Sequence, residues 1–303
     1  MQPLLDTVHE PLVTLAQSYT SFYAALDRIM ELEPGIHRIV SIDEALPGQY
    51  APNIYLVIGN RGSVLVDTGW GREAPTQELM NYIQEVGNPQ VTHIILTHRH
   101  DDHIGGASQL HKATGATIVA HSIEKKTIQN SLDATEIGMV VEDGDSVNLG
   151  DLTIRMVHTP GHTIGSLSVF IPERRALFTG DTVLGLGNTV IMPGHGDMRL
   201  YLESIHKMLS YEPTVIYPGH GPVVRNVSAK LNGIIRHRIE REDQLVSLIE
   251  ERPRTVDDLL WSLYPELHKG LRHIARNQIR SHLRKLQVER RVHVTNDKRY
   301  AML

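Results

Sequence analysis

Histidine and aspartate residues are concentrated in one short motif, T-H-R-H-D-D-H, which completes the apolar run V-T-H-I-I-L-T. The motif holds four side chains that can bind a metal, namely His98, His100, Asp102 and His103. Alternation along a strand places His98 and His100 on one face, and Asp102 and His103 lie beyond the turn. Imidazoles and carboxylates suit a borderline divalent ion, so zinc is the natural candidate, with iron or manganese as alternatives.

Three further ligand candidates each follow an apolar strand in the same way. They are His162 in T-P-G-H-T, Asp181 in F-T-G-D-T and His220 in Y-P-G-H-G, and glycine precedes each of them. Glycine permits the backbone turn that directs a side chain away from the end of a strand. The combined set of seven ligands exceeds what one tetrahedral zinc ion uses. It suits two ions roughly 3.5–4 Å apart that share one bridging carboxylate.

Two metal ions that share a water molecule lower its pKa towards neutrality and so provide a bridging hydroxide at pH 7. This hydroxide can attack a carbonyl or phosphoryl centre while one ion polarises the electrophilic oxygen. Asp102 is a ligand and also the best candidate for orienting the nucleophile, so it is the predicted catalytic residue. The stretch G-H-T-I-G-S, which contains Ser166, is better explained as a ligand turn than as a serine nucleophile.

The motif P-G-H-G occurs twice, at residues 193–196 and 218–221. We choose His220 as the ligand because it follows the apolar strand T-V-I-Y-P-G. His195 has no strand before it and falls in a long loop, where it is either simply exposed or a contact for the substrate.

The elements around these motifs predict a mixed α/β domain. Short β-branched runs are typical of strands, N-R-G marks a turn between two of them, and helices are predicted over 73–86, near 198–209 and up to Gly115. After Pro222 the chain changes to helices rich in arginine and glutamate, followed by a hairpin around Asn296-Asp297. We therefore predict a helical extension over 1–30, a catalytic domain over 31–225 and a C-terminal domain over 226–303.

The composition excludes several classes of protein. The sequence contains no cysteine, which rules out a disulfide framework, a thiol nucleophile and a zinc site with thiolate ligands. No apolar run approaches the ~18–20 residues that span a bilayer. The first basic residue is Arg28, so the N-terminus lacks the basic region of a signal peptide. We therefore expect a cytoplasmic protein without a membrane partner.

The net charge of −5 hides an asymmetry, because residues 1–225 hold 14 Lys+Arg and 25 Asp+Glu whereas residues 226–303 hold 16 and 10. Such a basic tail could follow a phosphate backbone, and Arg276 and Arg280 are candidate contacts. It could equally cover the acidic body of its own chain or of a homodimer partner. The scarcity of nearby aromatic rings argues against single-stranded bases and favours a solvated or intramolecular stripe. The basic residues of the last predicted helix and the segment behind it are Arg272, Arg276, Arg280, Arg284, Lys285, Arg290 and Arg291.

Taken in order, H-x-H-x-D-H, G-H-T-x-G-S, T-G-D and P-G-H-G resemble the motifs of the metallo-β-lactamase superfamily, from Asp67 to Pro222. The resemblance implies an α/β fold, an αββα four-layer sandwich with the metals at one edge of its two sheets. It also implies that Asp67 in L-V-D-T-G orients a ligand imidazole from outside the ligand set. The implied ligands are His98, His100 and His162 on the first ion, Asp102, His103 and His220 on the second, and Asp181 as the bridge.

The substrate is less sharply indicated. Dedicated β-lactamases that place a cysteine on the second metal differ from this chain, which is similar to the thioesterase and phosphodiesterase branches, including glyoxalase II. The stretches F-T-G-D-T-V-L-G-L-G and I-Y-P-G-H-G-P-V-V, with the helical tail, resemble the β-lactamase-like protein 2 family. That likeness implies a C-terminal winged-helix-like domain, and relatives that are endoribonucleases or acyl-carrier-protein thioesterases. The family's G-T-N-T-Y-L is here A-P-N-I-Y-L.

We therefore expect a dinuclear zinc hydrolase that acts on a small-molecule thioester, ester or lactone, because the acidic body argues against a nucleic-acid partner. The main alternative is a zinc-dependent endoribonuclease that acts on single-stranded RNA. A mono-iron dioxygenase of the persulfide type, with iron at His98, His162 and Asp181, is a third hypothesis that the second ligand set disfavours. Weak promiscuous β-lactamase activity is compatible with the site, whereas a non-catalytic binding module leaves seven ligands unexplained.

Overall fold

The computed structural model describes residues 28–42 and 51–303. The first β-sheet contains seven strands that are adjacent in chain order. Its first four strands pair antiparallel, and the pairs from β4 to β7 are parallel. The strands are β1 (Ile29–Glu33), β2 (Ile36–Val40), β3 (Asn53–Gly59), β4 (Gly62–Val66), β5 (Val91–Ile95), β6 (Thr117–His121) and β7 (Met139–Val141).

The second sheet contains five strands in the order β12-β11-β10-β9-β8. All its pairs are antiparallel except β11 with β12, which is parallel because a helical crossover joins these two strands. A 3-10 turn over Pro172–Arg174 connects β10 to β11. The strands are β8 (Ser146–Asn148), β9 (Thr153–His158), β10 (Leu167–Ile171), β11 (Ala176–Gly180) and β12 (Val215–Pro218).

The two sheets pack face to face over one shared apolar core. Val57, Val66 and Ile95 contribute from the first sheet, and Met156 and Phe178 from the second. Burial of this aliphatic surface is the main force that holds the sheets together. Strand ends of both sheets are thereby brought to a common edge.

Helices cover the outer face of each sheet. Leu79 and Leu110 pack on the first sheet, and Tyr201 and Met208 pack on the second. The result is the αββα sandwich of four layers that the sequence predicts. The helices are α1 (Glu73–Glu85), α2 (Asp101–Ile104), α3 (Ala107–Thr114) and α4 (Ser122–Gln129) on the first sheet, and α5 (Met198–Ser210) on the second.

The C-terminal region begins with a long helix, α6 (Val227–Glu251), that belongs to two cores. Leu231 near its start packs on the second sheet, whereas Leu245 near its end packs in a separate C-terminal cluster. The predicted hairpin around Asn296-Asp297 is confirmed, with Val292 paired to Met302. The remaining elements are α7 (Val256–Leu263), a 3-10 turn (Lys269–Leu271), α8 (Arg272–Val288), β13 (Val292–Val294) and β14 (Tyr300–Met302).

The predicted N-terminal helical extension lies, up to residue 27, outside the described residues. The prediction of a helix is wrong at residues 29 and 30, because Ile29 and Met30 belong to β1 and pair with Ile39 and Arg38 of β2. The hydrogen bonds of the sheet edge decide the conformation there, and no local sequence pattern reveals them. Among the residues that the structure describes, no helix is long and apolar enough to cross a lipid bilayer.

Candidate metal centre

The seven predicted ligands lie together at the common edge of the two sheets. They fall into two groups, and within each group the potential ligand atoms are all within 4.8 Å of one another. Each ligand follows the end of a strand: β5, β9, β11 or β12. The first group consists of His98, His100, His162 and Asp181, and the second of Asp102, His103 and His220.

In the first group, three imidazoles converge on one point. His100 Nδ1 lies 2.9 Å from His98 Nε2 and 3.0 Å from His162 Nε2. The rings of His98, His100 and His162 stand edge to face, with centroids 4.6 to 4.9 Å apart. Nitrogen atoms rather than ring faces therefore line the centre of this group.

In the second group, His220 Nε2 lies 3.1 Å from Asp102 Oδ2 and 3.3 Å from His103 Nε2. Asp181 reaches both groups. Its Oδ2 is 3.8 Å from His162 Nε2, and its Oδ1 is 3.4 Å from both His103 Nε2 and His220 Nε2. This is the placement that a carboxylate bridging two ions requires.

The hydrogen bonds of the ring nitrogens that face away from the site determine which nitrogens can bind a metal. His162 Nδ1 lies 2.9 Å from the carbonyl oxygen of Val190, and His103 Nδ1 lies 2.7 Å from Asp67 Oδ2. A carbonyl or carboxylate oxygen only accepts, so both Nδ1 atoms donate their protons outwards. In the neutral ring the Nε2 lone pair then points into the site, which is the arrangement found in metal-binding histidines. The residues present fit a pair of divalent ions.

The electrostatics of the first group favour neutral imidazoles. Burial lowers the pKa of His98 well below its ordinary value, and burial together with His162 lowers the pKa of His100 to about 4. Burial also lowers the pKa of His162. At neutral pH these nitrogens therefore offer lone pairs without first losing a proton.

The second group is richer in negative charge. Against the opposing effect of burial, Asp102 and Asp67 raise the pKa of His103 well above its ordinary value. Burial also opposes ionisation of Asp102, yet His103 and the hydrogen bond with His220 lower the pKa of Asp102 to about 2. The second group thus favours positive charge at its centre, as a set of ligands for a cation must.

Asp67 supports the second group from outside it. Its carboxylate accepts hydrogen bonds from Thr97 N at 2.8 Å, from Thr97 Oγ1 at 2.9 Å and from His103 Nδ1. Its backbone has φ 62°, a left-handed conformation that costs a non-glycine residue roughly 1–3 kcal/mol. Asp67 is buried, and the ligand ring that it contacts is that of His103.

The glycines before the ligands meet two different requirements. Gly180 has φ 47°, so the predicted need for an unusual backbone turn is confirmed at this position. At Gly219 the reason is space, because a Cβ atom would lie 2.7 Å from Asp181 Oδ1 and 2.8 Å from His103 Cε1. A side chain there would collide with the site itself.

Sequence reasoning missed the residues that hold the His220 turn. Asn53 Nδ2 donates to the carbonyl oxygens of Pro218 and Gly221, both at 2.9 Å, and Tyr55 Oη donates to Pro218 O at 2.8 Å. Both belong to A-P-N-I-Y-L, which stood out only as a departure from a family motif. Two polar side chains at the start of an apolar strand were the signal that could have found them.

The predicted substrate-side residues lie outside the two groups. His195 is exposed, in the loop between β11 and α5. Its neighbour Gly196 approaches the carbonyl oxygens of Gly161 and His162 so closely that a Cβ atom would lie 2.1 and 2.6 Å from them. The side chain of Ser166 is buried and bonded to Thr163, which supports a turn role.

The basic residues of the C-terminal domain are largely engaged within it. Arg276 Nε donates to Asp257 Oδ1 at 2.6 Å, and the Arg272 guanidinium stacks on the ring of Trp261 at 4.4 Å. These contacts join residues of the C-terminal domain to one another rather than to the acidic body of the chain. Arg280 donates to Asn277 Oδ1 at 3.1 Å. Together with Arg284 it also lines a cavity of 520 Å³, whose other lining residues are Pro193, Gln287, Val288 and Tyr300.

Comparison with known proteins decides the family. The sequence profile of the metallo-beta-lactamase superfamily matches residues 47–220, which is more than half of the chain. The chain belongs to this superfamily. A second profile, of the beta-lactamase associated winged helix domain, matches residues 255–299. The predicted fold and family are thereby confirmed, and the protein is a metal-dependent hydrolase of the metallo-β-lactamase superfamily with a cluster that can bind metal.

Curated relatives extend over most of the chain. It is 31% identical over 274 residues to the beta-lactamase-like protein 2 homolog of Caenorhabditis elegans, an alignment that covers 86% of this chain and 87% of that protein. It is 30% identical over 246 residues to the lactamase-like protein adaB of Aspergillus niger, covering 78% of this chain and 74% of that one.

Solved structures share the fold of this superfamily member. A metallo-beta-lactamase family protein of Thermus thermophilus superposes with a TM-score of 0.72 at 22% identity, covering 90% of this chain and 100% of that one. A beta-lactamase domain protein of Burkholderia ambifaria gives a TM-score of 0.77 at 20% identity, covering 91% and 93%. At these identities the likeness concerns the fold.

Proposed function

We propose that this hydrolase holds two zinc ions and cleaves a thioester, ester or lactone. The observation that carries the proposal is the convergence of five imidazoles and two carboxylates at one sheet edge, with Asp181 in contact with both groups. Nitrogen and carboxylate ligands without thiolate are a ligand set that zinc accepts. Iron or manganese are the alternative ions for the same donors.

The chain's own residues prepare this chemistry. When bound, the two ions supply an activated water at neutral pH and polarise the oxygen of the scissile group. Asp67 and the Val190 carbonyl fix the rings of His103 and His162 through their Nδ1 protons. Asp102, ionised at neutral pH, accepts a hydrogen bond from the attacking water and so orients it.

The charge distribution favours a small acyl substrate. The domain that carries the site is acidic, whereas the basic residues of the C-terminal domain are mostly engaged with Asp257, Trp261 and Glu242. A phosphate backbone needs a continuous basic track, and a thioester or lactone does not. The exposed His195, in the loop beside the His162 turn, is the proposed contact for the acyl group.

One observation favours RNA as the second candidate substrate. Arg280 and Arg284 face the same cavity as Pro193, which lies two residues before His195. A nucleic acid held there would bring phosphates near the loop that borders the first ligand group. Binding through phosphates weakens steeply with added salt, whereas turnover of a neutral ester does not.

The test is elemental analysis of the purified protein, paired with turnover of a thioester and of a single-stranded RNA. We expect two zinc ions per chain and thioester or ester cleavage that is lost in His98→Ala. The matched control is His293→Ala, which changes an exposed histidine in the C-terminal hairpin.

Other results of the same experiment would replace the proposed acyl hydrolase activity with another function. Two zinc ions with RNA cleavage alone, sensitive to salt and reduced in a double Arg280→Ala, Arg284→Ala variant, would replace the acyl hydrolase with the nuclease. One iron per chain would contradict both and leave the dioxygenase.

A further inference from the structure

A short loop segment, residues 189–192, lies between the first ligand group and the C-terminal domain. On one side, the Val190 carbonyl accepts the Nδ1 proton of His162 at 2.9 Å. The hydroxyl of Thr189 also donates to the backbone oxygen of Asp181 at 2.8 Å. Through these two contacts the segment supports two of the four ligands in the first group.

On its other side the segment is held by the C-terminal domain. Arg238 Nη2 of α6 donates to the carbonyl oxygen of Thr189 at 2.5 Å. Two side chains of α8 donate to the carbonyl oxygen of Ile191, Ser281 Oγ at 2.6 Å and Gln278 Nε2 at 3.0 Å. The peptide group before Val190 and the one after Ile191 are therefore both anchored. They flank the peptide group that carries the Val190 carbonyl and so restrain the direction in which this carbonyl points.

Arg238 is unusual for a residue that serves packing alone. Its side chain is only 3% exposed, and its hydrogen-bond partners are the Thr189 carbonyl and Gln278 Oε1, with the ring of Tyr201 5.4 Å from the guanidinium carbon. No carboxylate of a described residue forms an ion pair with it, and Glu242, four residues along the same helix, is paired with Lys285 and Arg291 instead. A buried cation without a counter-charge costs stability, so an apolar side chain would be favoured here if packing were the only role.

We infer that the C-terminal domain sets the geometry of the first metal group, with Arg238, Gln278 and Ser281 as positioning residues for His162. The inference rests on the proposed metal centre but not on the identity of the substrate. It gives the C-terminal domain a role in metal binding through side chains that bind the backbone of residues 189 and 191 rather than the ligands themselves. Groups that orient a ligand from outside typically change metal affinity about 10–100-fold when removed.

The experiment measures zinc affinity by competition with a chelator in two backgrounds. His220→Ala leaves the first group intact, and His98→Ala leaves the second group intact. Adding Arg238→Ala should weaken zinc binding about tenfold in the first background and leave it unchanged in the second. Arg238→Lys, which keeps one donor for the Thr189 carbonyl, should recover part of the affinity. Arg236→Ala, on an exposed position of the same helix, is the matched control.

Cobalt in place of zinc gives a second readout, because its visible absorption reports the coordination of the ion. We expect the spectrum of the first group to change in Arg238→Ala and that of the second to stay the same. If Arg238→Ala does not fold, a double Gln278→Ala, Ser281→Ala variant should lower the first-group affinity several-fold.

Unchanged affinity in a folded variant would overturn the inference, and so would equal weakening of both groups. A wild-type protein that binds fewer than two metal ions would instead contradict the proposed function, so the two failures are distinguishable.

Discussion

Two buried polar clusters of this protein follow opposite rules. In the C-terminal domain, the carboxylate of Glu242 accepts two contacts from Lys285 Nζ, at 2.8 and 2.9 Å, and one from Arg291 Nη1 at 2.8 Å. Donors meet acceptors there, and opposite charges are paired. At the sheet edge, by contrast, ring nitrogens face one another, with His100 Nδ1 2.9 Å from His98 Nε2 and 3.0 Å from His162 Nε2.

The difference separates a cluster that serves stability from one that serves a ligand. The carboxylate of Glu242 finds its cationic partners within the chain, and His282 and Lys285 lower the pKa of Glu242 against the opposing effect of burial. The cluster at the sheet edge gathers nitrogen and carboxylate atoms in the number and types that bind a metal cation. Substitutions at Glu242 should therefore lower the stability of the protein, whereas substitutions at the sheet edge should lower metal binding and activity.

The largest effect is expected from Asp181→Asn, because Asp181 contacts both ligand groups and an amide cannot bridge two cations. We expect the catalytic efficiency to fall at least about 1000-fold, which corresponds to about 4 kcal/mol of transition-state stabilisation. Elemental analysis should find fewer than two ions per chain. Full activity with one ion would contradict the bridging role.

Glu242→Gln should have the next largest effect, but on stability. The substitution removes charge-assisted hydrogen bonds from a buried carboxylate, but Lys285 keeps its contact with Glu289 and Arg291 is partly exposed. The free energy of unfolding should therefore fall by about 2–3 kcal/mol. Denaturant unfolding measures this change, and the zinc content should stay at the wild-type value. Loss of zinc at unchanged stability would contradict the assignment of the Glu242 cluster to stability rather than to metal binding.

Asp67→Asn should have a smaller effect, confined to the second group. The amide weakens the hold on the His103 ring, and we expect the affinity for the second ion to fall about 10–100-fold in chelator competition. Asp133→Asn is the control, since Asp133 is exposed and also has a positive φ, 43°. Equal effects of the two substitutions would mean that backbone strain, and not the contact with His103, matters.

The smallest effect is a dependence on pH. The pKa of Glu242 is lowered from its ordinary value of 4.5, so its carboxylate contributes stability that is present above pH 4.5 and is lost as the pH falls through the folded pKa. The difference in unfolding free energy between the wild type and Glu242→Gln should therefore narrow below pH 4.5. Measurements with chelator present exclude metal loss as the cause, and a constant difference would contradict the assignment.

Much of the site could be predicted from the sequence because its ligands are side chains at strand ends. His98 and His100 sit two residues apart beyond a buried strand, and Gly180 immediately precedes Asp181. These patterns involve residues close together in the sequence, so they can be recognised without the structure. The order of strands and helices could be predicted in the same way, since apolar runs and turn residues are also short sequence patterns.

The groups that hold the ligand side chains in place were much harder to predict from the sequence. The carbonyls of Val190 and Ala51 fix His162 and His220, yet a backbone carbonyl is the same at every position and leaves no trace in the sequence. Asn53 lies 165 residues from Pro218, to which it donates. Only folding reveals which distant groups become neighbours.

The amino-acid sequence by itself therefore determined the family, the layered fold and the ligand types, because these depend on residue identity and short spacing. The tertiary structure decided which backbone oxygens orient the ligand rings, and that Arg238 reaches the Thr189 carbonyl. The physical reason is that metal geometry depends on directions in space. Those directions come from contacts between segments far apart in the chain.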